Sequence, residues 1–111
     1  MSAFADGLAA YRAGAHFEAH EHWETLWRAE ARGPRREYLQ ALIQVAAAMH
    51  QQRVKQSSAA ALRLLARARA RLEALPAVDW ELSIPALLAA LTVAVAAIEA
   101  GASEDRTLVT L

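Results

Sequence analysis

The chain has 111 residues, with 12 basic and 12 acidic side chains and no cysteine. This length predicts a single domain, and the lack of cysteine excludes both a disulfide framework and a thiolate metal cage. A chain without net charge is a poor general binder of nucleic acid, because contacts with phosphates dominate that affinity. The cysteine-free composition and the absence of a basic, apolar leader predict a cytoplasmic location.

Helix is the secondary structure that the composition favours. Alanine is abundant, and only four glycines and three prolines interrupt the chain. Serine before a helical segment, and glycine or proline at its ends, mark the boundaries. We expect an all-α fold, a compact bundle of about five helices over residues 3–13, 16–31, 35–55, 58–75 and 84–100, with a loosely held tail over residues 102–111.

The second predicted helix carries ionisable residues inside its apolar face. On a helical wheel, His16, His20 and Glu24 fall in the same arc as Trp23 and Trp27. An ionisable side chain that faces a core is costly unless it is paired. This stripe is therefore the best candidate for a functional site, and we expect His20 and Glu24 to be largely buried and to face the third helix.

The third predicted helix has no charged residue between Leu39 and Gln52. A helix that lacks charge all round is usually covered on most sides, which predicts a central position in the bundle. Gln40 and Gln44 are then expected to be buried, and a buried amide needs a polar partner on a neighbouring helix.

A hairpin centred on the Gly33-Pro34 turn would bring the two helices side by side. Residues at equal distances from the turn then lie at the same level. This register predicts that polar side chains of both helices converge on one site: His20, Glu24 and Gln44, together with His16, Gln40 and His50.

The last two predicted helices differ sharply in character. Arg63, Arg67 and Arg71 form a basic stripe on the fourth, which we interpret as a solvated face; the alternative, docking of an anion or a nucleic acid, lacks interleaved aromatic residues. The fifth is almost wholly apolar and too short to span a membrane comfortably. We expect it to be a core helix whose remaining face forms a homodimer interface; the alternative is that the tail folds over that face.

Two sequence blocks resemble a known family. The pattern His20-x-x-x-Glu24-x-x-Trp27, preceded by Phe17-Glu18-Ala19 and followed by Arg28, together with residues 39–44 and His50, is similar to the domain of unknown function family 309. The resemblance covers about residues 5–75 and does not extend beyond Pro76. It implies a small helical bundle of bacteria and archaea without an established activity, in which the shared His, Glu and Trp form a candidate active site.

The chemistry of this constellation has three interpretations. His20 and Glu24 are candidate catalytic residues, and with His16 they are candidate ligands of a divalent metal, the only cofactor the sequence suggests, although no zincin motif is present. The same pair is a candidate metal-free acid–base dyad. The third interpretation is a polar network that fixes helix register.

A binding role would add several contacts to the same constellation. The candidate ligand-binding residues are Trp27, Arg28, Gln40, Gln44 and His50. We favour a structural, small-ligand-binding or interaction module, and the alternative is a metal-assisted, hydrolase-like enzyme that uses His20 and Glu24.

Overall fold

The computed structural model describes residues 2–111, and within that range it contains five α-helices and no β-strand. The helices are α1 (Ala3–Arg12), α2 (His16–Ala29), α3 (Pro34–Arg53), α4 (Ser58–Glu73) and α5 (Ile84–Glu99), and a 3-10 turn covers Glu104–Arg106. The radius of gyration is 13.0 Å, as expected of a compact domain of about 100 residues. The all-α fold class predicted from the sequence is confirmed. No helix in the described range is long and apolar enough to cross a bilayer.

Serine side chains start three of the helices. Ser2, Ser57 and Ser83 accept hydrogen bonds from backbone N–H groups in the first turns of α1, α4 and α5, which satisfies donors that the helix itself leaves free. Pro34 opens α3, where its missing N–H is no loss. Gly14 adopts a φ of 85° in the sharp turn after α1.

The centre of the bundle is α3. From Tyr38 to Met49 every side chain except Gln40 and Ala47 is buried, because α2 and α4 pack on either side of this uncharged helix. Each helix packs mainly on its neighbours in the chain, with α1 against α2 and α5 against α4. The bundle therefore places α2 between α1 and α3.

The tail is not loosely held, contrary to the expectation from the sequence. Thr107 and Val109 are buried. The Tyr11 hydroxyl donates to the Val109 carbonyl oxygen, and the Val109 N–H lies 3.4 Å from the sulfur of Met49. The tail thus packs against α1 and α3, and the sequence hides this because the contact depends on two distant helices presenting matching groups.

Candidate functional site

A row of three ionisable side chains runs along α2. His20 Nε2 lies 3.2 Å from Glu24 Oε2, and Arg28 donates to the other carboxylate oxygen of Glu24. The three residues are spaced at four-residue intervals, which stacks them on one face of a helix. All of these contacts lie within α2, so the row does not link α2 to another helix.

The row lies at the surface, which corrects the expectation that His20 and Glu24 are largely buried. Their side chains are 25% and 29% exposed. Ala19 and Trp23 fill the interior contact of α2 and are fully buried. His20 and Glu24 belong to the edge of the apolar arc, and the neighbouring helices cover only its middle.

Phe17 stands between two clefts at this surface. One has a volume of about 290 Å³ and is lined by Phe17, His20, Glu21, Glu24, Thr25 and Arg28. The other is smaller, about 140 Å³, and is lined by Phe17, His20, Ala47, His50 and Gln51. We call them the Glu24 cleft and the His50 cleft. Phe17 and His20 line both, so the two clefts form one continuous surface.

Two imidazole rings flank Phe17. Its ring centroid lies 5.7 Å from that of His20 and 5.4 Å from that of His50. The structure therefore brings His20 and His50 to one site, although they touch through Phe17 and not directly. Phe17 is more than half exposed, and the sequence analysis assigned it no role, since an aromatic residue in an amphipathic helix is usually part of the core.

The two nitrogens of His20 have different environments. Nε2 contacts Glu24, whereas Nδ1 is buried and has no hydrogen-bond partner in the described part of the chain. A neutral imidazole that donates its Nε2 proton to the carboxylate keeps a free lone pair on Nδ1. His20 is thereby oriented by Glu24 and retains one unused acceptor.

Gln44 is buried, as expected, but its partner is not on α2. Its Oε1 accepts from Arg71 Nε of α4 at 3.2 Å, and Arg71 also pairs with Glu37. Six residues separate Gln44 from His50, which puts them about 120° apart around α3. The hairpin register predicted their levels along the axis and did not account for this angle, so only His50 reaches the clefts.

Trp27 and Gln40 also lie outside the clefts. Trp27 is half-buried, the Arg36 guanidinium sits 4.1 Å from its ring centroid, and Arg36 Nε donates to its carbonyl oxygen. A cation over an indole face is a stabilising contact. Trp27 thus joins the end of α2 to the start of α3. Gln40 is half-buried on α3.

His16 belongs to a different environment from His20. It is buried, and its ring centroid lies 4.7 Å from that of Tyr11. Burial, and then the charges of Arg53 and His50, lower the pKa of His16. The three candidate metal ligands His16, His20 and Glu24 are not brought together, and residues 2–111 contain no group of three or more His, Cys, Asp or Glu side chains placed to hold an ion.

Comparison with known proteins identifies a family for this part of the chain. A family model described as "Domain of unknown function (DUF309)" matches residues 4–64. That range contains α1, α2, α3 and the start of α4, and therefore both clefts. No curated protein and no solved structure matches the chain.

Proposed function

The chain belongs to the domain of unknown function family 309 (DUF309), and we propose that it is a binding module that takes a small polar ligand at the Glu24 and His50 clefts. The observation that supports this proposal is that His20 and Glu24 make their side-chain polar contacts only within α2. A structural network would join α2 to α3. Exposed ion pairs one helical turn apart contribute only about 0.3–0.5 kcal/mol each.

The chemistry of the clefts favours a ligand that carries a positive charge. Two carboxylates, Glu21 and Glu24, and one guanidinium, Arg28, line the Glu24 cleft. The exposed face of Phe17 adds an aromatic surface that attracts cations. The free Nδ1 of His20 would accept a hydrogen bond from a donor on the ligand. A small amine satisfies all three features.

A metal-assisted enzyme is the alternative drawn from the sequence, and the geometry gives it less support. A divalent ion at His20 and Glu24 would have two protein ligands from one helix, whereas catalytic zinc sites use three. His16, the third candidate, lines another cleft, with Tyr11 and Arg53. We therefore do not carry this alternative further.

The binding proposal is tested by a titration followed by NMR, with methylammonium as the probe. The expected result is a saturable shift of the ring resonances of His20 and Phe17 in the unmodified chain. Glu24→Gln should abolish it, because the carboxylate that orients His20 is lost. Glu18→Gln is the matched control, since Glu18 is exposed on the same helix outside both clefts. A shift that fails to saturate, or one that Glu24→Gln retains, would contradict the proposal.

We also propose that the chain forms a homodimer through the outer face of α5. Ala86, Ala89, Val93 and Ala96 are exposed there, with Val93 66% exposed, and α5 packs mainly against α4. The tail, the other segment considered as a cover, packs on α1 and α3 instead. A face without charge is compatible with its own copy in a two-fold pair, where like side chains meet.

A further inference from the structure

A third cleft lies on the opposite side of His16 from the proposed ligand site in sequence terms, where the α1–α2 turn meets the end of α3. It has a volume of about 400 Å³, and its polar side chains come from Tyr11, Arg12, His16 and Arg53. Residues 108–111 of the tail complete its wall, and no Asp or Glu side chain lines it. We call it the arginine cleft.

Two buried nitrogen atoms around this cleft have no partner. His16 is only 5% exposed, and neither its Nε2 nor the Nε of Arg53 has a hydrogen-bond partner in the described residues. Buried polar groups are nearly always hydrogen-bonded in folded proteins, and an unpaired one is costly. The arginine cleft therefore lacks acceptor atoms that an occupant would supply.

The charges at the cleft determine what kind of occupant fits. Arg12 and Arg53 already donate to the carbonyl oxygens of Leu111 and Glu104. The nearest acid is Glu104, whose carboxylate is 4.0 Å from Arg53 and largely exposed. In addition, α2 begins at His16 without a capping side chain, so the positive end of its dipole lies beside the cleft. These positive groups favour an anion over a neutral water molecule.

We propose that the arginine cleft binds a small oxyanion, a carboxylate or a phosphate group. Guanidinium groups match the paired oxygens of both anions. Arg12 and Arg53 hold the anion, and His16 donates the additional hydrogen bond. This site shares no residue with the Glu24 and His50 clefts, so it stands or falls independently of the proposed function.

The test is an NMR titration of the full chain at constant neutral pH, with inorganic phosphate and acetate as separate probes. The expected result is a saturable shift of the His16 ring resonances and a higher pKa of His16 in the bound state, because a nearby anion favours the charged imidazole. Arg53→Gln should weaken binding roughly tenfold or more. Arg67→Gln, which alters an exposed arginine of α4, should leave it unchanged. The probe with the higher affinity distinguishes a phosphate from a carboxylate ligand.

Sodium chloride at matched ionic strength is the control for general charge screening. If chloride produces the same shifts, or if neither probe saturates, water fills the cleft and the proposal is wrong. Arg53→Gln removes a partly buried group, so Arg12→Gln provides a second variant at an exposed position. Unchanged phosphate and acetate affinity in a folded Arg12→Gln variant would equally overturn the proposal.

Discussion

The indole ring of Trp23 packs directly on Gly7, so closely that a Cβ atom at position 7 would lie 2.7 Å from Trp23 Cδ1. Trp23 is fully buried, and its Nε1 donates to the Phe4 carbonyl oxygen at 3.3 Å. This contact holds α1 on the inner face of α2, which leaves the opposite edge of α2, with His20 and Glu24, free at the surface.

Gly7→Ala should therefore destabilise the protein, even though alanine is the better helix former by about 1 kcal/mol. Overpacking of a filled core costs about 1–3 kcal/mol, and here the added methyl group meets a rigid ring. Urea unfolding measures the difference. In a Trp23→Phe background, which makes room at this contact, the same substitution should cost less. An equal cost in both backgrounds would show that the ring is not the obstacle.

The buried His16 predicts a pH dependence of stability. Its pKa is lower in the folded protein than the value of 6.5 of a free side chain, so the unfolded chain binds the proton more readily. Stability is then fully present above about pH 6.5 and falls as the pH drops toward the folded-state pKa. Urea midpoints measured across this window should decline, and His16→Gln should flatten the decline. His22→Gln, at an exposed histidine of the same helix, should leave it unchanged.

Arg71 is expected to matter more for stability than the other arginines of the stripe on α4. It donates to the buried Gln44 and pairs with Glu37. Arg71→Ala leaves the Gln44 oxygen without this partner, at a cost of about 1–3 kcal/mol, whereas Arg67→Ala changes an exposed residue and should fall within about 0.5 kcal/mol. Thermal or urea unfolding of the two variants decides this. Similar losses in both would mean that Gln44 finds another donor.

The proposed homodimer predicts a response to charge on the outer face of α5. Val93→Glu places a carboxylate in the centre of the interface and should give a monomer in sedimentation equilibrium at micromolar concentration. Val54→Glu is the matched control, because Val54 is 65% exposed at the end of α3, away from α5. A monomeric unmodified chain, or a dimer that persists in Val93→Glu, would exclude this interface.

The helices and their order could be predicted because local rules determine them. Ser83 caps α5, and Pro34 opens α3, as single-residue preferences indicate. The uncharged stretch of α3 indicated its central position for the same reason, since charge is rarely buried on all sides. The all-α fold class followed from these features and composition.

The composition of the site was harder to predict because it depends on angles between helices. The His20 and His50 part of the convergence is present, whereas Gln44 faces α4 and His16 faces Tyr11. A helical wheel locates the apolar arc of one helix but not the width that its neighbours cover. Phe17 was missed for that reason, and the docked tail was missed because its contacts join distant parts of the chain.

The most direct test of the central claim is the free energy of unfolding of the double variant His20→Ala/Glu24→Ala. The matched control is Glu18→Ala/His22→Ala, which removes the same two residue types at the same spacing from an exposed part of α2. A surface pair that serves ligand binding predicts that both double variants stay within about 1 kcal/mol of the unmodified chain. A loss of about 3 kcal/mol or more in His20→Ala/Glu24→Ala alone is the size expected when a buried pair is broken. That result would show that the pair holds the fold together and would contradict its assignment to a binding site.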